Sequence, residues 1–255
     1  MFNLIRSEGY KLSRNRSFWV LLAVLVLGAV AYCAMKYLDQ PVDGSSKADL
    51  SGLERLAWAM AGNVFIVKIG LCVLAGFFIS SEYASGTMKR TVSSGYSRSR
   101  IILAKSIVFS IGSVLIALAF PAASLILGSL LFGLGTVPDL SAAEYIARCL
   151  GLTIALTAGH AAIVALFGTF FNDSGKTIGI GVIFFIFIDT AFGLVGDYLP
   201  FVDKIYEYSV FNQINHSYDP ALTSRDIALS IAIPLATAAA FLALGVVAFR
   251  RKEIK

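Results

Sequence analysis

Long apolar runs alternate with short polar segments along the whole chain. The runs approach 20 residues, the length that a helix needs to cross ~30 Å of hydrocarbon, and they lack the alternation of a membrane β-strand. We therefore predict an all-α, polytopic membrane protein whose residues 1–255 form a single transmembrane domain. Its six predicted spans are 18–37, 63–81, 106–130, 148–171, 177–196 and 227–249.

The stretch 106–138 carries no charge at all. As one helix it would be ~50 Å long, which is too long for one perpendicular crossing and short for two crossings and a turn. Pro121 lies inside it and predicts a kink. We expect one kinked span followed by a re-entrant or surface piece near residues 133–135.

Residues 1–17 precede the first span and mix apolar with basic positions. On a helix the basic side chains project largely away from the apolar ones, which predicts a short interfacial helix along the membrane surface. The apolar face would hold Phe2, Ile5, Gly9 and Leu12, and the basic side chains are Arg6, Lys11 and Arg14.

Composition agrees with a membrane protein, because 57% of the residues are hydrophobic against about 45–50% in soluble domains. The cysteines Cys33, Cys72 and Cys149 lie within apolar segments and show no metal-ligand spacing. We read them as small buried apolar side chains, and we predict neither a disulfide framework nor a metal site.

The charges fix the predicted orientation. With six spans, one side receives both termini, the 82–105 loop and the 172–176 turn, and it carries 14 of the 21 basic residues but four of the 16 acidic ones. The positive-inside rule then places both termini in the cytoplasm, in a multi-pass protein of the plasma membrane. The basic excess follows from this topology and does not indicate a nucleic-acid partner. Residues 197–226 form the predicted extracellular segment.

Three ionisable side chains fall inside the spans: Lys68, His160 and Asp189. Each is ~18–20 Å along its helix from the cytoplasmic end, so all three are expected at a similar depth. Charges at that depth are costly and usually face a partner or a wet cavity. Our hypothesis is that Lys68 and Asp189 form an ion pair or that both line a translocation path.

Catalytic signatures are missing from the sequence. The fragment Gly175-Lys176-Thr177 looks like the end of a phosphate-binding loop, but Phe170 stands where that motif needs a glycine. No hydrolase or metalloprotease motif appears, so we predict no catalytic residue and no cofactor in this chain.

The central polar loop, residues 82–105, carries the most informative pattern. Glu82 ends one span, Gly86 and Thr87 follow, and a series of basic residues leads into the next span. Together with the N-terminal start and the six-span layout, this loop resembles permease subunits of type-2 ATP-binding-cassette (ABC-2) exporters. The loop residues on which the resemblance rests are Glu82, Gly86, Thr87, Lys89, Arg90, Arg98, Arg100 and Lys105.

The resemblance implies a mechanism. In that family the loop between spans two and three forms a coupling helix that docks on a separate ATPase subunit, and ATP with Mg²⁺ is bound by that partner. The turn after span four makes a second contact, here at Asn172, Asp173 and Lys176. The partners implied are the ATPase, a second permease chain, identical or paralogous, and the lipid bilayer. Small permeases of this shape resemble those that give immunity to antimicrobial peptides or antibiotics.

Other functions stay open on the sequence alone. The chain could export cations or lipids, or it could be a non-transporting membrane scaffold or sensor partner. The basic cluster in the loop could also reflect membrane topology and contact with anionic lipid. We therefore treat a hydrophobic or amphipathic cargo, moved out of the cell or membrane, as an expectation.

Overall fold

The computed structural model describes residues 1–38, 51–196 and 198–252, and this part of the chain is built from helices. Six of the helices are long and apolar enough to cross a membrane, which confirms the predicted all-α, six-span class. The helices are α1 (Phe2–Ser13), α2 (Arg16–Leu38), α3 (Gly52–Ala84), α4 (Thr87–Ser93), α5 (Arg98–Phe132), α6 (Ala142–Phe170), α7 (Ser174–Gly196), α8 (Pro200–Glu207), α9 (Val210–Gln213) and α10 (Ser224–Arg251).

Some sequence predictions concern residues outside the described ranges. These residues are 39–50 between the first two predicted spans, Asp197 at the start of the predicted extracellular segment, and the last three residues, Glu253, Ile254 and Lys255.

Helix α3 begins well before the predicted span at 63–81. The hydroxyl oxygen of Ser51 accepts the backbone N–H of Glu54 at 3.3 Å and caps the first turn, which satisfies one of the N–H groups left free at a helix start. Hydropathy alone misses this beginning because Glu54 and Arg55 lower the apolar average there.

Helix α5 also extends beyond its prediction, running from Arg98 through Pro121 to Phe132. Near residues 133–135, where a re-entrant or surface piece is expected, the structure has no further helix. Instead the chain turns at Gly133 and Gly135, which both have positive φ, and the carbonyls of Gly133 and Leu134 accept the N–H groups of Gly52 and Leu53 at 2.8 and 3.0 Å. The segment that follows α5 is thereby bonded to the beginning of α3.

The centre of the bundle is formed by α3 and α6. Their most apolar windows are 56% and 61% buried, against 11% in both α7 and α10, which leave most of their surface to the surroundings. Helices α5 and α10 pack against α6, and α2 packs against α5. The core includes Leu71, Ile79, Phe109, Leu156 and Phe185.

Small residues let α6 and α10 approach closely. A Cβ atom placed on Gly159 would lie 3.1 Å from the Cα and the carbonyl oxygen of Pro234, which are backbone atoms that cannot rotate away. At Gly159, α6 thus packs closely against α10 of the same chain. By contrast, a Cβ on Gly151 of the same helix meets nothing within 4 Å.

We expect Gly159→Val to lower the thermal stability of the detergent-purified chain, because the side chain must push α10 away from α6, at a cost of about 1–3 kcal/mol. Gly151→Val is the matched control, since it makes the same change on the same helix in open space. The measurement is the melting temperature of both variants. Equal melting temperatures would contradict the packing described.

Candidate functional site

The N-terminus, the central polar segment and the C-terminal end of α10 lie at one face of the bundle, called here the termini face. It is built from α1, α4, the C-terminal end of α3, the N-terminal end of α5 and the C-terminal end of α10. Contacts between residues far apart in sequence, Glu8 with Lys105 and Arg98 with Lys252, hold these parts together. This face contains the residues predicted from the sequence to receive the ATPase.

Four charged side chains form a closed cluster at this face, called here the charge tetrad: Glu8, Lys11, Glu82 and Lys105. Lys105 Nζ lies 2.6 Å from Glu8 Oε2 and 2.8 Å from Glu82 Oε2. Lys11 Nζ lies 2.5 Å from Glu8 Oε1 and 2.9 Å from Glu82 Oε1. Each base therefore contacts both acids, and the tetrad joins α1, α3 and α5 with no net charge.

Burial strengthens the attraction between the charges of the tetrad, because little water screens them. The side chain of Lys105 is 0% exposed and that of Glu8 is 3% exposed, and the ammonium of Lys105 also lies 5.0 Å from the Phe78 ring centre. Burial by itself would raise the pKa of Glu8, but Lys105 and Lys11 outweigh it and hold that pKa below its ordinary value of 4.5. Burial likewise opposes the charge on Lys11, and Glu8 and Glu82 still raise its pKa. Glu8 and Lys11 are thus held in their charged forms.

Helix α4 is the predicted coupling helix, and its beginning is set by Gly86. That residue has a left-handed φ of 69°, a conformation that glycine adopts without strain. Met88 then points inward, where it is buried with Ile101, Ile102 and Phe249. The next two side chains, Lys89 and Arg90, are exposed. Helix α4 is therefore anchored by one apolar side chain and presents a basic outer surface.

The end of α10 connects to the central segment. The guanidinium of Arg98 donates hydrogen bonds to the carbonyls of Arg250 and Lys252 at 3.2 and 2.6 Å. Arg100, two residues further along α5, is exposed. The C-terminal end of α10 is therefore fixed to the first turn of α5.

Lys252 extends this connection to the second predicted contact. Its ammonium donates to the carbonyls of Thr169 and Phe170 at the end of α6 and lies 4.1 Å from the Tyr83 ring centre. Burial lowers the pKa of Lys252 to about 8. Lys252 thereby links the C-terminal end of α10 to the turn after α6 and to the end of α3.

The second predicted contact, residues 172–176, is shorter than expected because α7 begins at Ser174. Asn172 and Asp173 occupy the turn, and Lys176 lies in the first turn of α7 with its N–H donating to Asp173 Oδ1 at 2.8 Å. The hydroxyl of Ser174 donates to the carbonyl of Gly76 at 2.7 Å. This turn is therefore bonded to α3, the helix that leads into α4.

Deeper in the bundle, Lys68 and Asp189 lie in direct contact as an ion pair. Lys68 lies in a π-helical turn of α3, Ile66–Gly70, and its side chain is 7% exposed, whereas Asp189 on α7 is 33% exposed. The hydroxyl of Tyr206 on α8 donates to the other carboxylate oxygen of Asp189 at 3.1 Å. The pair thus connects two spans and one helix of the segment 197–226.

His160, the third predicted intramembrane residue, is not part of this pair. Its Nδ1 donates to the carbonyl of Leu156 at 2.9 Å, and its ring packs against Phe185 and Phe211, with centroid distances of 5.6 and 6.0 Å. Among the described residues, Nε2 has no hydrogen-bond partner. His160 therefore packs as part of an aromatic cluster.

The sequence predictions missed four residues of these sites: Glu8, Lys11, Tyr206 and Lys252. Glu8 had a signal, because it lies one helical turn from Leu4 and from Leu12, and all three are buried on one face of α1. The predicted interfacial face was centred elsewhere, and its Phe2 is 77% exposed. Tyr206 and Lys252 had no comparable signal, since their partners are distant in sequence.

Comparison with known proteins agrees with this architecture. A family model described as "ABC-2 family transporter protein" matches residues 4–188, which is more than half of the chain. No curated protein matches the sequence. The matched region contains the tetrad, α4 and the turn after α6, together with five of the six long helices or most of each. The chain therefore belongs to the ABC-2 transporter family and is a multi-pass membrane subunit of that transport class.

Proposed function

We propose that this chain is the permease subunit of an ATP-driven exporter and that its termini face receives a separate ATPase subunit. The observation that carries the proposal is the construction of α4, which has an exposed basic surface, is anchored by the buried Met88, and connects α3 to α5, two helices that the charge tetrad joins. ATP and Mg²⁺ would be bound by the partner, and a second permease chain would complete the transporter.

The contacts explain how force on α4 would reach the spans. Helix α4 lies between Glu82, at the end of α3, and Arg98, at the beginning of α5. The tetrad joins these two helix ends to α1, and Lys252 joins α3 to the ends of α6 and α10. A push on α4 would therefore move several helix ends together rather than bend a loop, and packed helices respond to such shifts by changing between discrete arrangements.

The proposed cargo is hydrophobic or amphipathic, in the manner of an antimicrobial peptide or an antibiotic, and export is the proposed direction. This suits the mostly apolar exposed surfaces of the long helices, whose 18-residue apolar windows each carry two charged residues at most. A molecule already dissolved in lipid would reach these surfaces laterally. The competing function, a scaffold or sensor without transport, predicts no ATPase partner.

We expect Arg90→Glu to reduce the amount of partner ATPase that co-purifies with the permease about tenfold, and the stimulation of ATP hydrolysis by the permease about as much. The reason is that a reversed charge at a docking surface costs more than 1 kcal/mol of binding free energy. Arg14→Glu is the matched control, since Arg14 is also exposed at the termini face but lies at the end of α1. The assay compares bound ATPase and ATP hydrolysis for both variants in mild detergent.

Two results would decide against the proposal. Absence of any ATPase in the purified wild-type complex would favour the scaffold. Equal loss with Arg14→Glu would show that only the overall positive charge of this face matters, and α4 would lose its assigned role.

A further inference from the structure

A cavity lies at the face opposite the termini face, called here the distal face. It has a volume of about 410 Å³ and lies between the beginning of α3, the beginning of α6 and the segment that follows α9. A second cavity of about 240 Å³ adjoins it and shares Glu54, Ala57 and Tyr218. Together they form one cleft, called here the distal cleft, of a size that holds small organic molecules.

The distal cleft is acidic. Glu54 lines both cavities and Asp219 lines the larger one, and neither a lysine nor an arginine lines either of them among the described residues. The nearby Arg148 uses its guanidinium on the carbonyls of Asp219 and Pro220, at 3.3 and 2.7 Å. Among the described residues, the lining thus holds two carboxylates and one histidine, His216, and this excess of acid favours a positively charged occupant.

Aromatic rings complete the cleft, and hydrogen bonds hold two of them in place. The indole N–H of Trp58 donates to Glu54 Oε1 at 2.8 Å, and Trp58 is 61% exposed, so its ring is available to a ligand. The hydroxyl of Tyr145 donates to the carbonyl of Tyr218 at 2.8 Å. Fixed aromatic rings next to a carboxylate bind organic cations through the ring faces and the charge together.

We propose that the distal cleft binds the ammonium group of an amphipathic organic cation. The positive group would lie between Glu54 and Asp219, and the apolar part would lie along Trp58 and Ala61 in the smaller cavity. This inference goes beyond the proposed function, because the binding needs neither the ATPase nor transport.

The fluorescence of Trp58 provides the measurement. The chain has two tryptophans, Trp19 and Trp58, so replacing Trp19 leaves Trp58 as the single tryptophan reporter. In a Trp19→Phe background, the chain reconstituted in zwitterionic lipid nanodiscs is titrated with phenyltrimethylammonium while Trp58 fluorescence is recorded. We expect a saturable change, and no saturable change with benzyl alcohol, which carries the ring without the charge. Saturation by both compounds would show an apolar pocket and would overturn the proposal.

Carboxylate variants test the site itself. Glu54→Gln and Asp219→Asn keep the hydrogen-bonding shape and are each expected to raise the Kd for phenyltrimethylammonium about fivefold. Glu144→Gln is the matched control, since Glu144 is an exposed acid at the beginning of α6 that does not line the cleft. An equal weakening by Glu144→Gln, or no saturable binding to the parent chain, would overturn the proposal. The ATPase is absent throughout, so failure here is distinguishable from failure of the coupling proposal.

Discussion

Replacing Lys105 with methionine is expected to destabilise the folded chain by about 3–5 kcal/mol, the usual cost of removing one partner from a buried ion pair. Lys105 is 0% exposed, and its ammonium is shared between Glu8 and Glu82. After the substitution, two carboxylates would compete for Lys11, whose side chain is 30% exposed and bonds through the other oxygen of each acid. We expect a large loss of folded protein during extraction and a lower melting temperature for what remains.

A second substitution separates charge balance from the loss of one side chain. In the double variant Glu8→Gln with Lys105→Met, the acid Glu82 keeps the base Lys11, so the buried region is neutral again. We expect the double variant to be more stable than Lys105→Met alone, which is a strongly non-additive result of the kind shown by residues in one network. Arg100→Met is the control on the same helix, because Arg100 is exposed and should cost little. Additive losses would contradict a coupled tetrad.

The number and type of the long helices could be predicted because they depend on local sequence. A helix that crosses a membrane needs an apolar run of about 20 residues, and such runs are visible in the sequence. The six runs correspond to α2, α3, α5, α6, α7 and α10. The helix starts were less well predicted, although the sequence contains their signals. Ser51 and Ser141 each stand three residues before a glutamate, and both cap a helix in the structure, a pattern that hydropathy does not measure.

The tetrad could not be predicted, because it depends on how distant segments meet. Glu82 and Lys105 were both noted in the sequence, but as residues of a polar loop open to the cytoplasm. The structure places Lys105 two turns inside α5, where it is fully buried, and Glu8 reaches it from α1. A single sequence does not show which charges will neutralise one another, so residues expected at an exposed docking surface can prove to be the buried support of that surface.

Replacing Asp189 with leucine is expected to destabilise the folded chain by about 2–3 kcal/mol. It leaves the ammonium of Lys68, which is 7% exposed, without its carboxylate inside the bundle. The expected cost is below that of a fully buried pair because Asp189 itself is 33% exposed and retains some access to its surroundings. Tyr206→Phe removes one hydrogen bond to Asp189 and should cost only about 1 kcal/mol. Thermal unfolding in detergent ranks the two variants, and a larger loss from Tyr206→Phe would contradict this ranking.

The double variant Lys68→Met with Asp189→Leu then distinguishes the two roles that the sequence left open for this pair. Removing both charges should restore most of the stability, because well-packed apolar side chains replace buried pairs at little cost. If ATPase stimulation in the complex returns together with stability, the pair acts by fixing α3 against α7. If stability returns and stimulation does not, the charges themselves take part in transport. The contact of Tyr206 with Asp189 favours the first outcome, because that hydrogen bond ties α8 to the same ion pair that joins α3 and α7.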